Sequence, residues 1–124
     1  MVNNLIQKKY YDFIKLSLQE RKEKSNKINN KHKDKVIIAT LFDNNIKLND
    51  DFNTFIFIVN KELIVSQLIV KIRSKCNINE NEAIYLSFND IMVNNSMTLD
   101  LIQHHYQKED GFVYMKITKE NTFG

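Results

Sequence analysis

Residues 55–72 read FIFIVNKELIVSQLIVKI, and the hydrophobic period changes within the stretch. Phe55-Ile56-Phe57-Ile58-Val59 is continuously apolar, rich in β-branched and aromatic side chains, as expected of a strand covered on both faces. From there the apolar positions move to helical spacing, at Leu63, Val65, Leu68, Ile69 and Ile72, which predicts a helix over 62–75 packed on the sheet.

Working outward, Val36–Phe42 is a second continuously apolar run, joined to the first by a polar loop over 43–53. Downstream, Asn77–Glu82 is a polar turn and Ala83–Phe88 a strand that ends at Asn89-Asp90. Thr98 is placed to cap a short helix, with Asp100 in its first turn and Leu101, Ile102 and His105 or Tyr106 facing inward. Gly111 breaks the chain before a last strand, Phe112–Thr118, and a tail over 119–124. Upstream, Leu5, Ile6, Tyr10, Phe13, Ile14 and Leu18 recur at helical spacing and predict a first helix near 4–18. Glu20 to about Lys31 reads as a second, mostly solvated helix with Ile28 its clear apolar contact. Two strands, a packed helix and two further strands make an α+β fold of the ubiquitin-like β-grasp kind, with two additional N-terminal helices. The expected organisation is one compact domain: a helical arm over 1–31, a β-grasp core over 32–118 and a tail over 119–124.

Composition excludes several classes. The chain has 124 residues, 43% hydrophobic and 27% charged, with no proline and two glycines. No apolar run approaches the ~20 residues of a membrane-spanning helix, and the N-terminus has neither a secretory signal nor the glycine that myristoylation needs, since residue 2 is Val2. A single cysteine, Cys76, excludes an internal disulfide and fits a reducing compartment, so the cytoplasm is the expected location. Residues 1–35 hold ten Lys or Arg against four acids, a balance of +6, while the remainder holds eight against eleven, or −3. A basic arm on a mildly acidic body suits an anionic partner, whether nucleic acid, an acidic membrane leaflet or an acidic protein tail; it equally suits a plain solvated face.

Catalytic chemistry is not expected. His104 and His105 are adjacent and diverge by ~100° on a helix, and His32 is distant in sequence, so no metal site is predicted. Nothing around Cys76 resembles a catalytic cysteine signature, and two glycines cannot build a phosphate loop or a nucleophile elbow. Glu109-Asp110 before Gly111 reads as a turn rather than an acid/base pair. No catalytic residue, metal or cofactor is therefore expected, and the chain is not read as an enzyme. Tyr10 and Tyr11 beside Lys8 and Lys9 are of the right types to stack on bases and contact phosphates, but Tyr10 falls on the apolar side of its helical pattern, so nucleic acid is not an expected partner.

The last 17 residues, KEDGFVYMKITKENTFG, resemble the C-terminus of the autophagy ubiquitin-like family, which includes yeast autophagy-related protein 8, microtubule-associated protein light chain 3 and the GABA-receptor-associated protein. The likeness lies in Glu109-Asp110-Gly111-Phe112-Val113-Tyr114 and in the tail Glu120 through Gly124. Ile28 through Val36, Ile58 through Leu68, Ile72-Arg73, Ala83 through Leu86 and Phe88-Asn89 also fit in order. The family's prolines are replaced by Lys33, Ile37 and Asn60, its Arg is here Lys35, and its lysine run leading into the second strand is Asn53-Thr54-Phe55-Ile56.

The resemblance implies conjugation of Gly124 to phosphatidylethanolamine through activating and conjugating enzymes of the autophagy pathway, with the protein then on autophagosomal membrane. It also implies a peptide-binding groove. An aromatic-x-x-aliphatic segment of a receptor adds as a strand along Phe55–Val59, with one pocket at Ile28, Ile37, Ile58 and Phe112 and another at Phe57, Val59, Leu63 and Leu68. Lys35 and Arg73 occupy positions that are basic in the family and assist peptide or enzyme contact. A monomer is expected. The alternative is a ubiquitin-like adaptor that is never conjugated and binds peptides or anionic partners.

Overall fold

A computed structural model describes residues 5–10, 13–42, 54–76, 78–79 and 81–119. The elements are β1 (Leu5–Tyr10), one 3-10 turn (Phe13–Lys15), α1 (Leu18–Lys31), β2 (Lys35–Phe42), β3 (Thr54–Asn60), α2 (Val65–Cys76), β4 (Ile84–Phe88), β5 (Ile91–Met92), α3 (Leu99–Tyr106) and β6 (Val113–Lys119). The strands form one sheet in the order β1-β3-β2-β6-β4-β5. β2 and β6 run parallel, and the other neighbours are antiparallel. This is the α+β β-grasp expected from the period change at residues 55–72.

The unbroken apolar runs of β2 and β3 follow from burial on both sides. Side chains alternate across a strand, so Val36, Ile38, Phe55, Phe57 and Val59 face α2 and α3, where they join Leu63, Val65, Leu68, Ile72, Leu99 and Ile102. Ile37, Ala39, Ile56 and Ile58 face the other way, against Ile28 of α1, Phe13 and Phe112. β4 has one buried face. In β4, Ile84, Leu86 and Phe88 are buried while Tyr85 is exposed. β4 and β5 are joined by Asn89-Asp90, both at positive φ (50° and 64°), as a two-residue hairpin turn requires.

The expected short helix is present, with Thr98 Oγ1 accepting the Leu101 amide at 3.2 Å. Its inward face differs from the expectation: Ile102 is buried and Tyr106 stacks on Phe88, whereas Leu101 and His105 are exposed. Leu99, Ile102 and Tyr106, at i, i+3 and i+7, take the inner side of the helix and leave Leu101 and His105 on the outer side.

The N-terminal expectation needs a larger correction. Two helical segments do precede the core, but the first is a single 3-10 turn, and the helix near 4–18 is replaced over Leu5–Tyr10 by strand β1, paired with β3. Periodicity favoured a helix there, but the outer edge of β3 offers a row of amides and carbonyls that a passing strand satisfies. A local capping box fixes where the helix starts. Ser17 is extended (φ −68°, ψ 162°), its hydroxyl accepts the Glu20 amide at 3.1 Å, and its amide donates to Glu20 Oε1 at 3.1 Å. An extended residue at 17 prevents any helix from running through to residue 4.

The amide of Ser17, then its hydroxyl, holds the Glu20 carboxyl below its ordinary value. Because this pKa is depressed, the box is intact above the ordinary carboxylate range and is lost as pH falls through the lowered value. Ser17→Ala is expected to cost about 1 kcal/mol in urea unfolding and to move the Glu20 carboxyl, followed by NMR titration, only part of the way back toward its ordinary value, because the amide at position 17 remains. An unchanged melt with an unchanged titration would mean that the helix is started by something else.

Candidate peptide-binding site

The site is organised by a turn over 108–112. The Gly111 amide donates to Lys108 O at 3.0 Å and the Lys108 amide to Phe112 O at 2.9 Å. Gly111 has φ +91°, where an L side chain is strained, and a Cβ there would lie 2.6 Å from Ser25 Oγ. The glycine therefore serves two ends at once, the turn and the close approach of α1.

Asp110 is only 3% exposed, and a buried carboxylate requires donors. Three converge on it: the Phe112 amide on Oδ1 at 2.9 Å, Arg21 Nε on Oδ2 at 2.9 Å and the Tyr114 hydroxyl on Oδ2. Ser25 Oγ, also buried, donates to the Asp110 carbonyl at 2.6 Å. Burial first, and then the hydrogen bond to Asp110, pushes the Tyr114 phenol well above the ordinary tyrosine range. Arg21 also donates to Leu16 O, so one guanidinium ties the start of α1, the 3-10 turn before it and the 108–112 turn together. The outer Lys22–Glu109 pair, at 3.6 Å between exposed groups, adds little.

This fastening brings Phe112 under α1. Ile28, Ile37, Ile58 and Phe112, the residues expected to line one pocket, lie in one cluster together with Phe13, Ala39 and Ile56. Phe13 is 2% exposed; its ring meets Phe112 edge-on at 5.1 Å between centroids and lies 6.4 Å from Tyr114. Phe57, Val59, Leu63 and Leu68, expected at the second pocket, are brought together on the opposite face of β3, inside the core beneath α2. The outer edge of β3 between the two sets carries β1. Lys35, facing Asn60 across β2 and β3, donates to its side-chain oxygen, and Arg73 Nη1 donates to Asn79 O at 3.0 Å. Gly124 lies outside the described residues; β6, which leads toward it, ends at Lys119, paired with Glu82 at 2.8 Å.

Nothing in the sequence singles out Arg21 or Ser25. Asp110 is legible as a turn former and as part of the family likeness, but nothing local announces that its carboxylate is buried against a helix 85 or more positions away. The spacing of Phe13 fits a helix face, and neither the helical nor the strand period places it beside Ile28.

A β-grasp sheet with α2 on one face and α1 laid across the other is the architecture of a ubiquitin-like protein. The family model described as "Autophagy protein Atg8 ubiquitin like" matches residues 20–124. The chain belongs to this Atg8 family. It is similar to an autophagy-related protein 8-like protein of Dictyostelium discoideum, at 32% identity over 87% of this chain and 88% of the relative. It is 41% identical to human microtubule-associated protein 1 light chain 3 gamma over 55% of this chain. The matching stretch spans about half the length of some relatives, 47% of that human protein and 54% of autophagy-related protein 8 from Pichia angusta. In three dimensions it is similar to ATG8 of Trypanosoma brucei, with a TM-score of 0.76 at 26% identity, over 94% of this chain and all of that one.

Gly111→Ala is expected to destabilise the protein by about 1–3 kcal/mol, and by less in a Ser25→Gly background, where the close contact is gone. Paired urea melts measure the coupling. An equal cost in both backgrounds would show that backbone strain alone selects glycine.

Proposed function

We propose that this chain is a ubiquitin-like modifier of autophagy, conjugated through Gly124 to phosphatidylethanolamine, and not itself an enzyme. The observation that carries the reading is that the family match extends through residue 124, taking in Glu120 through Gly124. The chemistry is that of any activated carboxylate. The Gly124 carboxylate attacks the α-phosphate of ATP and releases pyrophosphate. The acyl-adenylate passes to an enzyme thiol with loss of AMP, and the lipid amine then displaces the thiol to leave an amide. A residue without a side chain suits passage through a narrow enzyme channel. On this reading that amide holds the protein on the membrane; no helix among the described residues is long and apolar enough to cross one. The chain then divides its time between cytoplasm and autophagosomal membrane.

The same reading assigns receptor recognition to β3. An aromatic-x-x-aliphatic peptide adds as a strand at its outer edge, its aromatic side chain entering the pocket of Ile28, Ile37, Ile58 and Phe112. The aliphatic one reaches toward Phe57, Val59, Leu63 and Leu68, and Lys35 and Arg73 contact the peptide or the enzymes.

Reconstitution with cognate activating and conjugating enzymes, ATP and phosphatidylethanolamine liposomes is expected to give a faster-migrating lipidated band that Gly124→Ala abolishes. Wild-type protein that is never modified, yet binds aromatic-x-x-aliphatic peptides, would establish the non-conjugated adaptor instead.

A further inference from the structure

The edge assigned above to a partner strand is already occupied in this structure. β1 lies along it in antiparallel register, from Leu5 opposite Val59 to Tyr10 opposite Thr54. Three residues beyond the end of β1, Phe13 fills the cluster of Ile28, Ile37, Ile58 and Phe112. Leu16 packs against the same cluster, so Phe13-Ile14-Lys15-Leu16 places an aromatic and, three residues on, an aliphatic side chain at the aromatic pocket. The backbone there is a 3-10 turn, not a strand. The chain thus divides between two segments what a bound peptide supplies with one: β1 takes the edge and Phe13 takes the pocket.

The charge pattern agrees. Lys8 and Lys9 stand opposite Ile56 and Phe55, the register positions where this sequence lacks the lysines of its resemblance. The family match begins at residue 20, so the segment is outside the matched region.

We propose that β1 and residues 13–16 are an intramolecular occupant of the peptide site, which partner peptides must displace to bind. The inference rests on the assignment of β3 and the Phe112 cluster as that site. The segment is hinged rather than loose. Its end is fixed where Arg21 binds Leu16 O and Ser17 caps α1, so it faces the groove at a high effective concentration. An external peptide binds only the fraction of molecules with the segment undocked, and its apparent affinity falls by that fraction.

The test uses the full chain and a fluorescein-labelled synthetic peptide with a Trp-Glu-Glu-Leu core, read by anisotropy. In a released variant, Gln7→Pro with Lys8→Pro, one of two adjacent amides must face β3, so its loss breaks the pairing. In a locked variant, Tyr10→Cys with Thr54→Cys in a Cys76→Ser background, a disulfide between register partners holds β1 in place. Phe13→Ala empties the pocket. Thermal unfolding shows that each variant remains folded.

The released variant is expected to bind about tenfold or more tighter than wild type. The oxidised lock is expected to bind at least tenfold more weakly than its own reduced form, with affinity restored by reductant. Equal affinity in released, wild-type and oxidised proteins, with binding clearly measurable, overturns the occupant while leaving the peptide site standing. No binding by any variant, released and Phe13→Ala included, overturns the peptide site and the occupant with it. A lock that forms between chains, with a dimer in sedimentation, assigns the paired strand to a second copy and overturns the intramolecular reading.

Discussion

The β2–β3 pair is apolar on both faces, so the rest of the chain has to supply two covers. α2 and α3 cover one face with a dense set of aliphatic contacts. The other face is harder to cover, because α1 is polar almost throughout and buries only Ser25 and Ile28. One isoleucine contributes ~1.5–3 kcal/mol of transfer free energy, too little to hold a 14-residue helix in place. The Asp110 centre makes up the difference. Its hydrogen bonds involve charged partners and so lie toward ~1.5–3 kcal/mol each, and they fix α1 where apolar area alone would let it slide.

This gives a physical meaning to the residues that carry the family resemblance. In Glu109-Asp110-Gly111-Phe112-Val113-Tyr114, the aspartate is the buried anchor and the glycine lets α1 come close. The phenylalanine packs in the cluster of Phe13, Ile28, Ile37 and Ile58, and the tyrosine donates to the anchor. Val113 points the other way, into the main core, and pairs with Ile38 as β6 joins β2 in parallel. Glu109 is exposed and contributes little to the fold.

Much of the core was legible in sequence because its burial is two-sided. A run such as Phe55–Val59 has few other interpretations, and the shift to helical spacing at Leu63 located α2 within a few residues. The site was less legible. Ile28, Ile37, Ile58 and Phe112 could be named together through the family likeness, but the partners of Asp110 are separated by the whole length of the chain. The clearest miss, β1, arose because Leu5, Ile6 and Tyr10 satisfy a helical period that nothing local contradicts. Ser17 and Glu20 did contradict its extension to 18: a serine three residues before a glutamate is a readable start signal, and it confines the helix to Leu18–Lys31. What no local pattern holds is the open edge of β3, a demand made by a strand more than forty residues away.

That edge has a consequence for solubility. Phe55-Ile56-Phe57-Ile58-Val59 carries no charge, proline or glycine, and such segments stack with their own kind when an edge is bare. With β1 in place the outermost strand of the sheet carries Lys8 and Lys9, and like charges oppose stacking of copies edge to edge. The N-terminal strand thus shields the most adhesive part of its own protein. If partner peptides displace β1 as proposed, the β3 edge lies bare only in the undocked fraction of molecules, and the sheet has a covered edge both before and after the exchange.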